Sequence, residues 1–147
     1  MDTSSTTISR SQPVPERSSR TYRATIRDMD GVELEASQVS SVKFSLRDDK
    51  TDVVINGRFR VEVLNANGGT MGVGGALSMV LSPEDTVTMG TGKLQKRRML
   101  FEVDYIGGHE NHEVYFWVEN LEDIPHVNLG DQEALNIGDF VFVEMAA

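Results

Sequence analysis

The residues best suited to chemistry in this sequence lie between positions 99 and 121. Two of the three histidines, His109 and His112, occur there among the carboxylates of Glu102, Asp104, Glu110 and Glu113. Such side chains could bind a metal or transfer protons. A zinc-protease motif needs H-E-x-x-H on a helix, however, and H-E-N-H is one residue shorter. On a strand the two rings would point to opposite sides. The sequence therefore predicts that both histidines are loop residues, within or next to the hairpin segment G-G-H-E-N (residues 107–111), and bind no metal.

Three other patterns that could carry chemistry are incomplete. The acidic stretches D-M-D-G (residues 28–31) and D-D-K-T-D (residues 48–52) lack the spacing of a calcium loop, so they favour turns, with a loosely bound surface cation as the alternative. The glycine-rich segment 65–76 contains no phosphate-binding motif. The chain has no cysteine and no G-x-S-x-G elbow. We therefore expect no catalytic residue, no cofactor and no enzymatic activity.

Two aromatic side chains indicate a surface for binding. Tyr115 and Trp117 alternate along a predicted strand with apolar residues that face the core, so they lie on its outer face. Aromatic residues are enriched at protein interfaces. Either these two contact a partner, or one of the chain termini covers them. Met71 and Val73, within the glycine-rich segment, are further candidate contacts with a neighbouring protein.

The elements that must position these residues are short strands. Polar and apolar residues alternate in S-V-K-F-S-L-R, R-F-R-V-E-V-L and A-L-S-M-V-L-S, a period that is typical of half-buried β-strands. Ser82 and Pro83 predict one helical turn, and T-G-K-L-Q-K-R-R is predicted to be a basic loop. About seven strands with frequent turns predict an all-β fold, an Ig-like antiparallel β-sandwich spanning residues 20–125. The predicted core consists of Tyr22, Ile26, Val42, Phe44, Leu46, Phe59, Val61, Val63, Leu77, Met79, Leu81, Phe101, Val103, Val114, Phe116 and Val118.

Composition sets the two termini apart from this domain. Residues 1–19 are rich in Ser, Thr and Pro and predict an extended or disordered arm. Residues 1–27 contain five arginines, among them Arg10, Arg17 and Arg20, and this basic segment is expected to meet an acidic protein surface, in the same chain or in a neighbour. Residues 28–147 are acidic, and the whole chain has a net charge of −9. An acidic body argues against nucleic acid as a partner, because contacts to phosphate need a basic surface.

The C-terminal residues 126–147 are predicted to be an extension with a possible extra strand, D-F-V-F-V-E-M. That strand must pair with this sheet or with another chain, and Phe140 and Phe142 are candidate partner contacts. No apolar run is long enough to span a membrane. The N-terminus lacks the apolar region of a signal peptide, which predicts synthesis in the cytosol.

Four short motifs resemble those of a family of small proteins encoded by tailed bacteriophages. They are I-N-G-R (Ile55–Arg58), L-N-A-N-G (Leu64–Gly68), L-S-P-E-D (Leu81–Asp85) and a final stretch that ends V-E-N-L-E-D-I-P (Val118–Pro125). The family is similar to Ig-like modules of phage virions, including N-terminal domains of baseplate and tail-fibre proteins.

The resemblance implies a non-enzymatic structural protein of a virion, synthesised in the host cytoplasm. Its expected role is that of a tail or neck accessory or a fibre-attachment module, in contact with other virion proteins and present in many copies or as a homo-oligomer. A capsid decoration protein is a close alternative. A receptor- or carbohydrate-binding sandwich that uses Tyr115 and Trp117 is another. The long arm and the C-terminal extension depart from the family pattern and are expected to act as tethers to neighbouring subunits.

Overall fold

Ten strands and three short 3-10 helices make up the computed structural model, which describes the backbone of residues 3–121 and 140–143 and the side chains of residues 5–121. The strands are β1 (Thr3–Thr7), β2 (Val14–Pro15), β3 (Arg20–Thr25), β4 (Val39–Asp48), β5 (Val61–Glu62), β6 (Gly69–Met71), β7 (Ala76–Leu81), β8 (Leu94–Tyr105), β9 (Gly108–Glu119) and β10 (Phe140–Val143). The 3-10 helices are η1 (Ala36–Gln38), η2 (Val73–Gly75) and η3 (Pro83–Thr86), the last of which is the helical turn predicted at Ser82 and Pro83.

The strands form two sheets that pack against each other, which confirms the predicted all-β sandwich. The large sheet has the order β1-β9-β8-β4-β5, with β2 also paired to β9, and the small sheet has the order β10-β3-β7-β6. The antiparallel groups β3-β7-β6 and β9-β8-β4 reproduce the B-E-D and G-F-C strand orders of an immunoglobulin domain. Only β1, β2 and β10 pair in parallel with their neighbours among the described strands.

Most of the predicted core residues are buried between the two sheets, because strand alternation decides which side chains face inward. Phe59 is an exception, with 56% of its surface exposed, and Val61 is only partly buried. The prediction of a full strand over R-F-R-V-E-V-L was wrong. Asn56, Gly57 and Arg60 adopt positive φ angles, so the chain turns twice there and only Val61–Glu62 pairs with β4.

The N-terminal arm is extended, and its partner is its own domain. Strands β1 and β2 run parallel to β9 and cover the outer edge of that strand. Ile8 and Val14 are buried in the hydrophobic core. These two side chains therefore anchor the arm to the domain.

The C-terminal strand also pairs within the chain. The backbone of β10 lies parallel to β3, with Phe140 opposite Arg20 and Phe142 opposite Tyr22. Of the predicted C-terminal extension, residues 126–139 and 144–147 lie outside the described residues, and so do the side chains of Phe140 and Phe142. Residues 122–125 at the predicted end of the sandwich lie outside them as well.

The β8–β9 hairpin is longer than the sequence suggests. Its turn consists of Ile106 and Gly107 alone, and Gly107 has a φ of 95°, a conformation that glycine adopts at little cost. The predicted basic loop T-G-K-L-Q-K-R-R is wrong beyond residue 93, because β8 begins at Leu94. The predicted histidine loop G-G-H-E-N is wrong too, since β9 begins at Gly108 and places both histidines within a strand.

Candidate functional site: interaction surfaces and buried ionic clusters

The two histidines point to opposite faces of β9. His109 faces outward, with Nδ1 2.5 Å from Asp104 Oδ1 and Nε2 2.6 Å from the side-chain oxygen of Asn111. The hydrogen bond with Asp104 raises the pKa of His109. His112 faces inward, with Nε2 2.9 Å from the Tyr22 hydroxyl, and burial lowers its pKa. The described residues contain no group of three or more His, Cys, Asp or Glu side chains that could hold a metal ion.

Three of the four family-like motifs meet at one buried carboxylate, that of Asp85. Arg58 donates to both of its oxygens, from Nε at 2.9 Å and from Nη2 at 3.0 Å. Asn56 Nδ2 donates to Oδ1 at 2.9 Å, and the amide and hydroxyl of Ser82 donate to Oδ2 at 2.8 and 3.1 Å. Arg58 Nη1 also donates to the backbone carbonyl of Asn67 at 3.0 Å. The motifs I-N-G-R, L-N-A-N-G and L-S-P-E-D thus tie three loops together.

The electrostatics of this Asp85 cluster are those of a structural site. Burial of the carboxyl raises its pKa, but the hydrogen bonds from Arg58, Asn56 and Ser82 and the charge of Arg58 together outweigh burial, so the pKa of Asp85 lies below its usual value. A carboxylate that already accepts five hydrogen bonds is neither a base nor a free ligand. Gly68, the last residue of the L-N-A-N-G motif, supports the same conclusion. It has a φ of 100°, and a Cβ atom there would lie 2.8 Å from the carbonyl oxygen of Val80, so this position requires glycine.

A second buried ion pair was not anticipated from the sequence. Arg97 faces the core from β8, and its Nη1 donates to Asp48 Oδ1 at 2.5 Å. Its Nη2 donates to the carbonyl of Val87 and to Gln95 Oε1, each at 2.9 Å. Burial lowers the pKa of Arg97, against the opposing effect of Asp48. Asp48 is therefore a buried partner of an arginine, and it also accepts hydrogen bonds from the amide and hydroxyl of Thr51 in the turn that was predicted at residues 48–52. The only sequence signal for this ion pair was the alternation along β8, which puts Arg97 on the core-facing side of the strand.

Tyr115 and Trp117 lie on the outer face of the large sheet, as the alternation predicts, and both are half-buried. The Arg10 guanidinium lies 4.9 Å from the centre of the Trp117 ring. Lys96 Nζ lies 4.7 Å from the centre of the Tyr115 ring and 5.8 Å from that of Trp117. The N-terminal arm thus covers part of Trp117 through Arg10, whereas Tyr115 is covered by Lys96 of β8.

Next to these aromatics, a groove of about 310 Å³ opens on the same face of the sheet. It is lined by Ser45, Arg47, Phe59, Arg60, Arg98, Leu100, Glu102 and Glu113. The arginines of the groove already have carboxylate partners: Arg60 contacts Glu102 at 3.1 Å, Arg98 contacts Asp49 at 3.3 Å and also Asp52, and Arg47 contacts Asp52 at 3.7 Å. An anionic ligand would have to compete with these ion pairs.

The remaining predicted contact residues divide by burial. Arg10 and Arg17 are exposed in the N-terminal arm, and Val73 is 89% exposed at η2. Arg20 and Met71 are buried in the chain, so their side chains offer little surface to a partner. Arg20 faces inward from β3, and Met71 faces inward from β6, because each occupies a core-facing position of its strand.

Four exposed apolar side chains lie in loops at one end of the sandwich, and the sequence analysis singled out only one of them, Val73. We call this cluster the loop end, and it consists of Met29, Val32, Val73 and Ile106. The amide of Ile106, at the tip of the β8–β9 hairpin, donates to the carbonyl of Gln38 in η1. The amide of Gly74 in η2 donates to Glu35 Oε1, beside η1, at 3.3 Å. The amide of Ile26 also donates to the carbonyl of Gly75. These hydrogen bonds bring together three connections: β3 to β4, β6 to β7, and β8 to β9.

The loop end is also acidic. The carboxylates around it are those of Asp28, Asp30, Glu33, Glu35, Asp104 and Glu110, against Arg27 and His109. Arg27 pairs with Glu33 at 3.6 Å, and His109 pairs with Asp104. The other four carboxylates have no cationic partner within 4.0 Å among the described residues. The loop end thus presents apolar side chains among carboxylates that have no cationic partner in the described part of the chain.

Comparison of the chain with family models, curated proteins and solved structures gives no match. Within the described part of the chain, no helix is both long and apolar enough to cross a membrane.

Proposed function

We propose that this protein is a non-enzymatic structural component of a tailed-phage virion that acts through protein–protein contacts, as a tail or neck accessory or a fibre-attachment module. A capsid decoration protein is the nearest variant of this role. The observation that carries the proposal is the loop end, where Val73 and Ile106 expose 89% and 77% of their surface. Loops at one end of an Ig-like sandwich are a common place for binding residues, because the two sheets hold them rigidly.

The family-like motifs support a scaffold role for the rest of the domain. Residues of three of the four motifs meet at the Asp85 cluster, where their hydrogen bonds join loops. A fold whose distinctive residues stabilise the domain, and whose exposed apolar residues lie in its loops, suits a protein that works by docking.

Two experiments test this proposal. Mass spectrometry of purified phage particles should detect the protein in multiple copies, and its absence from the particles would exclude the virion role. The double variant Val73→Ser/Ile106→Ser should then reduce the number of copies per particle by about tenfold, since buried apolar anchors dominate interface affinity. Val53→Ser is the matched control, because Val53 is also exposed but lies in the turn after β4. Normal incorporation of the double variant would show that the loop end is not the contact surface.

A receptor- or carbohydrate-binding role is the second candidate, and the aromatic pair on the outer face of the large sheet favours it. Sugar rings stack on aromatic faces, so a glycan would have to displace Lys96 from Tyr115 and Arg10 from Trp117. Binding to a glycan array that is lost in Trp117→Ala and retained in Val73→Ser/Ile106→Ser would favour this role over the structural one.

A further inference from the structure

The first strand is attached to the domain almost entirely by its backbone. Strand β1 pairs in parallel with residues 111–115 of β9. Ser5 and Thr7 are exposed, and Thr6 is half-buried. The first buried apolar side chain is that of Ile8, whose amide donates to the carbonyl of Tyr115 at 2.8 Å. Residues 3–8 therefore form a polar strand with a single apolar anchor at its end.

A short exposed turn separates this strand from the rest of the arm. Residues 9–12 are exposed, and the turn is closed by the Gln12 amide, which donates to the carbonyl of Ser9 at 3.0 Å. Val14 follows, buried and paired with Val118 of β9. The residues that precede Pro13 and Pro15 are biased toward extended backbone, so the sequence itself favours opening of the turn. Fully extended, the five residues 9–13 would span about 17 Å.

We propose that residues 3–8 form an exchangeable strand, which pairs with β9 of its own chain in the free protein and with β9 of a second copy when copies are crowded together. This inference rests on the proposed function only for the crowding that a multi-copy particle would supply. The partner is a second copy because its β9 edge and its Ile8 site are identical to those that the strand leaves. Exchange therefore alters only the turn at residues 9–13, and strand exchange of this kind is a low-cost route to dimers.

Concentration decides which pairing dominates. A short flexible connection gives the intramolecular strand an effective concentration in the range of about 1 mM. Dilute protein should therefore keep β1 in its own domain, and copies at about 1 mM or above should exchange it. An edge strand that is reversibly removed also exposes unpaired backbone groups, which is what a second strand binds.

The absence of cysteine from the chain allows a direct test by disulfide trapping. Ser5 and Glu113 are opposite each other in the β1–β9 register, and paired strands lie about 4.8 Å apart, within the range that a disulfide spans. The single variants S5C and E113C would be mixed, unfolded in urea, refolded together and oxidised. We expect heterodimers at about 1 mM protein in about fivefold excess over a mixture of S11C and E113C, and no excess at about 10 μM.

The matched control S11C reports random collisions, because Ser11 is exposed in the same arm but lies outside the strand register. The double variant S5C/E113C at about 10 μM should form a disulfide within one chain, which reports that the register has formed. Heterodimer yields equal to those of the S11C control at every concentration would overturn the proposal, as would failure of the double variant to close. Since this test uses purified protein alone, its outcome is independent of whether the protein is found in virions.

Discussion

Replacing Asp85 with asparagine should lower the free energy of unfolding by about 3–5 kcal/mol, the usual cost of removing one partner of a buried ion pair. The side chain of Asp85 is fully buried, and that of Arg58 is 14% exposed. The asparagine would retain one acceptor oxygen but would turn an amide group toward donors from Arg58, Asn56 or Ser82. The guanidinium would then remain buried without an anion, which is why the loss should exceed that of an ordinary hydrogen bond.

Urea denaturation followed by the fluorescence of the single tryptophan is a suitable assay. A lower midpoint with an unchanged m value would show loss of stability without a change in the folded or unfolded state. The control is Glu84→Gln, which removes a neighbouring exposed carboxylate and should alter stability by less than about 0.5 kcal/mol. If Asp85→Asn falls within about 0.5 kcal/mol of this control, the buried cluster does not hold the loops as argued.

The pH dependence of the stability of the wild type and of Asp85→Asn gives a second check. The pKa of Asp85 is lowered in the folded protein, so its contribution to stability is fully present above the unfolded value of about 3.9. That contribution is lost as the pH falls through the lower folded pKa. The difference in stability between the wild type and Asp85→Asn should therefore be constant near neutral pH and shrink in acid.

Three further results are expected. Phe116→Ala should cost about 3–5 kcal/mol because Phe116 is fully buried, whereas Phe59→Ala should cost less than about 1 kcal/mol because Phe59 is largely exposed; equal urea midpoints would contradict the observed burial. In an NMR titration, His109 should titrate above its usual pKa and His112 below it, and the reverse order would contradict their placement on opposite faces of β9. Arg10→Ala should alter the tryptophan emission, since the guanidinium lies 4.9 Å from the ring centre, with a loss of stability of only about 0.5–1 kcal/mol; an unchanged spectrum would show that the arm does not cover the ring.

The alternation of polar and apolar residues determined which sides of the main strands are buried. In S-V-K-F-S-L-R, for example, Val42, Phe44 and Leu46 all face the core. This could be read from the sequence because the side-chain period of a strand is local and does not depend on which strand lies next to it. The same argument placed Tyr115 and Trp117 on the outer face.

Turns limited what the sequence could predict. Positive φ angles at Asn56, Gly57 and Arg60 interrupt an alternating segment and leave Phe59 exposed, although its pattern is that of a core residue. At the β8–β9 hairpin, the turn uses only Ile106 and Gly107, and a longer predicted loop put His109 and His112 in the wrong element. A change of one or two residues in a turn alters the register of everything that follows.

Tertiary structure alone decided the partners of polar groups and of the arm. Asp85 accepts hydrogen bonds from Arg58, which is 27 residues away, and Arg97 reaches Asp48 across 49 residues. The polar arm lies along β9 because that edge offers unpaired backbone groups and the core has room for Ile8 and Val14. The sequence determines which residues are apolar and where strands can form. Which edges pair, which charges are buried together and which loops meet at one end depend on contacts between distant segments, and local patterns contain no information about them.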